Sequence, residues 1–310
     1  MIARESVKRS FPLPSPQELA LTGVTVLWGG TFLVLHIAMQ HCGPGFFVFV
    51  RFMMAAVFVG LLAGRKLLDF NWREVRAGAL IGVALATGYV LQSAGLRDIT
   101  SSRSAFITAL YVPLVPIFQW AFLRKPPHLM SWLGIALAFA GLVCLAGPAA
   151  LSLSFGRGDL LTLFAAIAIA VEIVLISLYA RGVDSLRVTV MQLLAGSLFA
   201  GLMVPVSGEA LPAFSWVWFG CALALGGLSA LVQVVMNWAQ KSVAPTKAAV
   251  IYAGEPVWGG LVGWLAGDSL PPATLLGAML IVGGVLTSEL RPQWLERLLG
   301  RVPQTLTKND

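Results

Sequence analysis

Charge is what this sequence has least of. Only 11% of its 310 residues are Asp, Glu, Lys or Arg, whereas 58% are hydrophobic. Soluble domains carry about 25% charged residues and keep their apolar runs short, so an ordinary soluble domain is excluded. Histidine and cysteine are equally sparse. His36, His41 and His128, and Cys42, Cys144 and Cys221, lie scattered without metal-ligand spacing, which leaves no metal centre to expect and little support for an intramembrane metalloenzyme. A GxxxxGK[ST] loop is absent, which argues against nucleotide-driven pumping within this chain. No cofactor is expected. The apolar segments lack the two-residue alternation of strands, and an open sheet in lipid would leave backbone groups unsatisfied. The N-terminal MIARESVKRSFPLPSPQE is basic and polar, without the apolar core of a removable signal peptide.

What is there is a series of apolar runs of about 20 residues, the length needed to cross roughly 30 Å of hydrocarbon. Ten spans are predicted, over 19–39, 45–64, 75–96, 102–123, 130–148, 159–180, 187–206, 215–239, 246–267 and 273–290. The net charge of +7 then records membrane topology rather than nucleic-acid binding. With the N-terminus inside, 17 of the Lys and Arg residues fall in cytoplasmic segments. Arg97, Arg103 and Arg157 fall outside, and Arg51 lies within a span. The bias predicts both termini in the cytoplasm.

An internal repeat divides the chain. At an offset of 143 residues Ala105 falls on Ala248, Pro113 on Pro256, Gly134 on Gly277, Leu137 on Leu280 and Gly141 on Gly284. At 141 residues Phe58 falls on Phe199, Gly60 on Gly201 and Leu61 on Leu202. Each half holds five spans, an odd number, so the second half must enter the membrane upside down. Inverted repeats of this kind are a transporter architecture, with the substrate near mid-membrane between the halves. The expected fold is an all-α polytopic membrane protein: a cytoplasmic tail over 1–18, a five-helix repeat over 19–148, its inverted copy over 159–290, and an interfacial helix and tail over 291–310.

Three stretches carry a family resemblance. They are LWGGTF (Leu27–Phe32) with VRFMMAA (Val50–Ala56), FITALYVPLVPIF (Phe106–Phe118) with WLGIALAFAGLVCL (Trp132–Leu145), and EPVWGGLVGWLAGD (Glu255–Asp268) with LLGAMLIVGGVL (Leu275–Leu286). Together they resemble the EamA-type family of the drug/metabolite transporter superfamily, over about residues 20–290. The resemblance implies a ten-helix, five-plus-five carrier of a bacterial inner membrane that exports amino acids, other metabolites or toxic compounds. It also implies an acidic residue ending the fourth and ninth spans. Asp268 supplies the second, while the fourth ends in RKPP, so a role built on that acid does not carry over there.

Polar side chains inside apolar spans are costly and face the bundle interior or a water-filled path. Thr108, Tyr111 and Gln119 share one face of the fourth span, and Tyr89 and Gln92 one face of the third. Gln233, Asn237 and Gln240 form a stripe on the eighth, and Tyr252 and Glu255 precede Pro256 on the ninth. From these stripes Tyr89, Gln92, Thr108, Tyr111, Asn237 and Tyr252, with Trp28, Trp238 and Trp258, are the candidate substrate-binding residues. The bland alternative stands beside each: amides in membrane helices commonly bond neighbouring helices, at about 0.6 kcal/mol, and Trp28 and Trp258 can equally face lipid. Pro113, Pro116 and Pro256 are candidate hinges or simple kinks. Arg51 either snorkels to the interface or binds an anionic group. Glu172 and Glu255 lie deeper, and either can load and release a proton during a transport cycle; Glu255, beside a broken helix, is the better coupling candidate. The expected function is secondary transport by alternating access, with a facilitative channel or uniporter as the alternative and an intramembrane enzyme behind both. The expected partners are a small-molecule substrate and the bilayer, with no nucleic acid, in a monomer or homodimer.

Overall fold

The computed structural model describes residues 14–99, 101–150, 156–179, 182–258, 261 and 272–289. The N-terminal residues, Asp268 and the C-terminal stretch expected to lie at the interface fall outside them. Among the described residues the secondary structure is helical throughout, with no strand.

The helices are α1 (Pro16–Gly29), α2 (Thr31–Met39), α3 (Pro44–Ala63), α4 (Trp72–Gly95), α5 (Ser101–Thr108), α6 (Tyr111–Leu123), α7 (Leu129–Ala150), α8 (Arg157–Tyr179), α9 (Ser185–Val206), α10 (Trp216–Ala239), α11 (Pro245–Tyr252) and α12 (Pro272–Glu289). A short 3₁₀ helix, Gly64–Asp69, follows α3. Among the described residues six helices are long and apolar enough to cross a membrane, and two shorter apolar ones accompany them. Large apolar side chains such as Leu61, Leu62, Leu202 and Val206 stay exposed. On a soluble protein such a surface would be an aggregation hazard; here it faces lipid. The protein is an integral membrane protein.

Capping fixes where the helices begin. Ser15 and Glu18 form a reciprocal capping box at the start of α1, as Asn71 and Glu74 do for α4. Asp184 accepts from the backbone N–H groups of Leu186 and Arg187 to start α9. The first turn of α3 takes its cap from far away in sequence: Glu209 accepts from the N–H groups of Gly45 and Phe46 at 3.1 and 3.2 Å.

The first, fourth and ninth predicted spans are each interrupted. The fourth breaks at Ala109–Leu110 because Pro113 has no N–H to offer the Ala109 carbonyl. That carbonyl instead accepts from Val112 at 3.0 Å, a tighter turn. The ninth breaks at Ala253–Gly254, where Pro256 withholds the donor that Tyr252 would need, and a further helical turn follows at 255–258. The repeated proline therefore produces a repeated break. The first span was expected to run unbroken over 19–39, yet it breaks at Gly30; a single glycine inside an apolar run does not announce a break.

The glycines of the repeat mark close helix contacts. A Cβ placed on Gly134 would lie 2.6 Å from the Gly284 carbonyl oxygen, and one on Gly141 would lie 2.5 Å from that of Gly277. Residue 134 thus meets 284, while its counterpart 277 meets 141. The equivalent helices α7 and α12 pack antiparallel in a self-complementary way. Likewise α4 and α9 approach backbone to backbone, since a Cβ on Gly82 would lie 2.1 Å from the Gln192 carbonyl oxygen. Small residues permit such approach in membrane helices.

Candidate functional site

The three breaks converge on one cavity. Its volume is about 290 Å³, and its wall includes Gly29 and Thr31 beside the first break, Thr108, Ala109 and Tyr111 at the second, and Tyr252, Ala253, Glu255 and Pro256 at the third. Unbroken helices supply the rest: Arg51 from α3, Tyr89 and Gln92 from α4, Leu142 from α7, Ile169, Glu172 and Ile173 from α8, and Gln233 and Met236 from α10. Trp28 and Leu35 complete the wall.

The aromatic part of the wall is held by ring contacts and hydrogen bonds. Trp28 meets Tyr252 edge to face with ring centroids 5.3 Å apart, and the Tyr252 hydroxyl accepts from Gln240 Nε2 at 3.0 Å. Gln240 is itself held by the Ser177 hydroxyl at 3.2 Å. Tyr89 packs edge-on against Phe52, with centroids 5.2 Å apart. The chain has four tyrosines, and three of them line this cavity.

The charged part is unbalanced, with one guanidinium against two carboxylates. Arg51 is 4% exposed, so it does not snorkel. Its Nε donates to Ser229 Oγ at 2.8 Å, and its guanidinium carbon sits 4.9 Å from the Tyr89 ring centroid. Glu172 lies near a cluster of buried amides: Gln192 Nε2 is 3.5 Å from Glu172 Oε1 and donates to Gln233 Oε1 at 2.8 Å. Among the described residues Glu255 has no hydrogen-bond partner. Two further polar candidates pair with each other, Gln92 Nε2 donating to Thr108 Oγ1 at 3.0 Å. A cavity with aromatic sides and a few fixed polar groups is built to hold a small organic solute. Among the described residues no group of His, Cys, Asp and Glu could hold a metal ion.

The comparisons with known proteins decide the family. The sequence model of the EamA-like transporter family matches residues 16–147 and again 156–289, nearly the whole chain in two consecutive copies. The chain belongs to the EamA-like transporter family. An Archaeoglobus fulgidus protein named "Uncharacterized transporter" is 31% identical over 289 residues, covering 93% of this chain and 88% of that protein. The "Uncharacterized inner membrane transporter YedA" of Escherichia coli K12 is 28% identical over 277 residues, 86% of this chain and 88% of its own length. A solved structure titled "Crystal structure of protein" matches with a TM-score of 0.72 at 20% identity, over 88% of this chain and 97% of that one; at that identity the likeness concerns the fold. This EamA-like chain is a membrane transporter.

Within this transporter, ten of the fifteen candidate binding, charged and hinge residues come together on the cavity wall: Trp28, Arg51, Tyr89, Gln92, Thr108, Tyr111, Glu172, Tyr252, Glu255 and Pro256, joined there by Gln233 of the α10 stripe. The other five lie elsewhere. Asn237 is buried behind the wall, where its amide donates to Gln192 Oε1 and Thr189 Oγ1 at 2.6 and 3.0 Å. Trp238, its chain neighbour, points the other way and is 42% exposed. Trp258 is half-buried one turn past the third break, Pro113 sets the second break from within α6, and Pro116 is buried in the interior of that helix. Gln119 caps α11, accepting from the Thr246 N–H and hydroxyl at 3.0 and 2.8 Å. Sequence reasoning missed Thr31 and Met236 on the wall and Gln192 behind it. The amide stripe on α10 pointed towards a polar partner on a neighbouring helix, but nothing local identified Gln192.

Proposed function

We propose that the chain is a secondary carrier that exports small organic solutes, amino acids, other metabolites or toxic compounds, by alternating access around this cavity. In this reading ten spans form two inverted five-helix halves, 19–148 and 159–290, with both termini in the cytoplasm and the cavity near mid-membrane between them. The observation that carries the reading is the convergence of three helix breaks on a cavity holding one guanidinium, two carboxylates and four aromatic rings. Helix breaks allow one part of a helix to move relative to the other, and inverted-repeat carriers bind substrate where discontinuous helices meet. The antiparallel, self-complementary packing of α7 on α12 supports the inversion, since equivalent helices of inverted halves must run in opposite directions.

Proton coupling through a cavity carboxylate is part of the proposal. Glu255 sits at the third break without a hydrogen-bond partner among the described residues, so its surroundings change most when that helix moves. Protein in sealed vesicles loaded with radiolabelled solutes tests both parts. Saturable counterflow supports a carrier, whereas single-channel conductance supports the channel reading instead. The Glu255→Gln variant should retain counterflow and lose the acceleration of net transport by a pH gradient. An unchanged response to the gradient removes Glu255 from the coupling step.

A further inference from the structure

Gln192 does not itself line the cavity, yet it is completely buried and sits directly behind the wall, at the centre of the only amide cluster among the described residues that reaches it. Its carbonyl oxygen accepts from Asn237 Nδ2 at 2.6 Å. Its nitrogen donates to Gln233 Oε1 at 2.8 Å and lies 3.5 Å from Glu172 Oε1. The orientation of these amides is determined from both ends. Asn237 Nδ2 also donates to the Gln233 backbone carbonyl at 3.0 Å, an acceptor-only group, so its nitrogen has to face that way. The Gln192 oxygen then faces Asn237, and its NH₂ faces the wall, where the Glu172 carboxylate is the second acceptor. Flipping Gln192 would set oxygen against oxygen at Gln233 and Glu172 and nitrogen against nitrogen at Asn237, in a low-dielectric interior where mismatched polar groups are most costly.

The two cavity carboxylates therefore differ in how they are held. Glu172 stands within the unbroken α8 and is backed by Gln192. Glu255 stands on the break after α11 and has no hydrogen-bond partner among the described residues. Recognition needs a fixed group on a rigid element. Arg51 is already engaged by Ser229 and the Tyr89 face, so the wall is left with acidic and aromatic groups facing the solute. Carboxylate beside aromatic faces is the chemistry that favours an organic cation.

We propose that Gln192 is a positioning residue: it holds Glu172 and Gln233 on the wall so that Glu172, rather than Glu255, receives an ammonium group of the solute. The inference rests on the cavity being the substrate site. The test uses a matched pair of probes of one shape, 3-phenylpropylammonium and 3-phenylpropanol, with binding to purified protein followed by titration calorimetry at neutral pH. The wild-type protein should prefer the ammonium by about tenfold or more, the scale of one charge-assisted contact. Glu172→Gln should bring that ratio close to unity, and Glu255→Gln should leave it in place. Gln192→Met, similar in size, should lower the ratio several-fold while the alcohol binds as before. Asn237→Leu, which frees the Gln192 amide to turn, should act in the same direction and serves if Gln192→Met does not fold. Equal weakening of both probes by Gln192→Met means packing alone and overturns the positioning role. A ratio that survives Glu172→Gln overturns the assignment of Glu172 while leaving the cavity as the site. Binding of neither probe to the wild-type protein overturns the cation subsite, and intact counterflow in vesicles would then show that the carrier reading stands without it.

Discussion

At the residue scale, charges are placed where a partner or a task explains them. Glu74 is completely buried; its Oε1 meets Arg187 Nη2 at 3.0 Å and accepts from the Asp184 N–H at 3.0 Å, and its Oε2 accepts from the Asn71 N–H. One side chain thus ties the start of α4 to the start of α9. Removing one partner of a buried pair costs about 3–5 kcal/mol because the other is left uncompensated. Glu74→Ala should therefore lower the unfolding midpoint of the purified protein clearly, and Glu74→Gln somewhat less. Asp184 beside it adds a pH dependence. Partial burial opposes its ionisation, but the N–H groups of Arg187 and Leu186 and the cations Lys66 and Arg187 outweigh that and hold its carboxyl below the usual aspartate value. A lowered folded-state value means a stabilisation present at neutral pH, above the unfolded-state value of about 3.9. It is lost as pH falls through the lower folded value. The midpoint difference between Asp184→Asn and wild type should accordingly be largest near neutral pH and shrink on acidification. A difference that is constant with pH would exclude this linkage. Single residues were also where the sequence was legible only in part. Arg51, Glu172 and Glu255 stood out because charge in an apolar span is expensive. Trp238 did not differ in composition from Trp28, and only three-dimensional packing turns one outward and the other onto the wall. Gln192 was invisible because one buried amide has no periodicity.

At the element scale, proline and glycine explain most of the geometry. The offset that places Pro113 on Pro256 was readable in the chain, and so were the two breaks that follow from a missing donor. The break at Gly30 was not, because glycine in a membrane helix most often serves packing. The repeat also paired Gly134 with Gly277 and Gly141 with Gly284, but the physical contacts are exchanged, 134 with 284 and 141 with 277. That exchange is a property of antiparallel packing and could not be read from an alignment of the halves. It leads to a contrast between neighbours on α12. A Cβ on Gly284 would lie 2.5 Å from the Gly134 carbonyl oxygen, whereas one on Gly283 would have nothing within 4 Å. Overpacking costs typically about 1–3 kcal/mol, more where backbone must move. Gly284→Leu should abolish or strongly reduce the yield of folded protein, and Gly283→Leu should leave both yield and unfolding midpoint unchanged. Equal effects would mean that α7 and α12 do not pack as described.

At the scale of the whole molecule, the cavity is open to one question, which side it is closed from. Between it and the predicted cytoplasmic face the α6 and α11 interface is packed solid: Val112, Val115, Ala248, Ala249 and Val250 are all completely buried. Beyond them Gln119 caps α11, and Lys247 on α11 forms an ion pair with Glu18 at the start of α1. These contacts join the two halves of the chain on one side of the cavity, where the proposed alternating access needs a closed gate. In an alternating carrier the same contacts have to separate once per cycle, so their strength sets the balance between the two states. Both members of the Glu18–Lys247 pair are partly exposed, and such a pair contributes no more than about 1 kcal/mol, or roughly a fivefold change in population. Glu18→Gln should therefore increase the fraction of time this side is open by up to about that factor. A cysteine introduced at Ala249, in a background without Cys42, Cys144 and Cys221, measures it: a membrane-impermeant thiol reagent supplied from the cytoplasmic face should modify it several-fold faster when Glu18→Gln is also present. Gln119→Leu, which removes the cap as well as a link between the halves, should act in the same direction and more strongly. Faster modification from the external face instead would place the closed gate on the other side of the membrane and reverse the proposed orientation. Modification unaffected by either substitution would mean that the packed α6–α11 interface does not separate during the cycle, and the moving boundary between the halves would then have to lie along another set of helices.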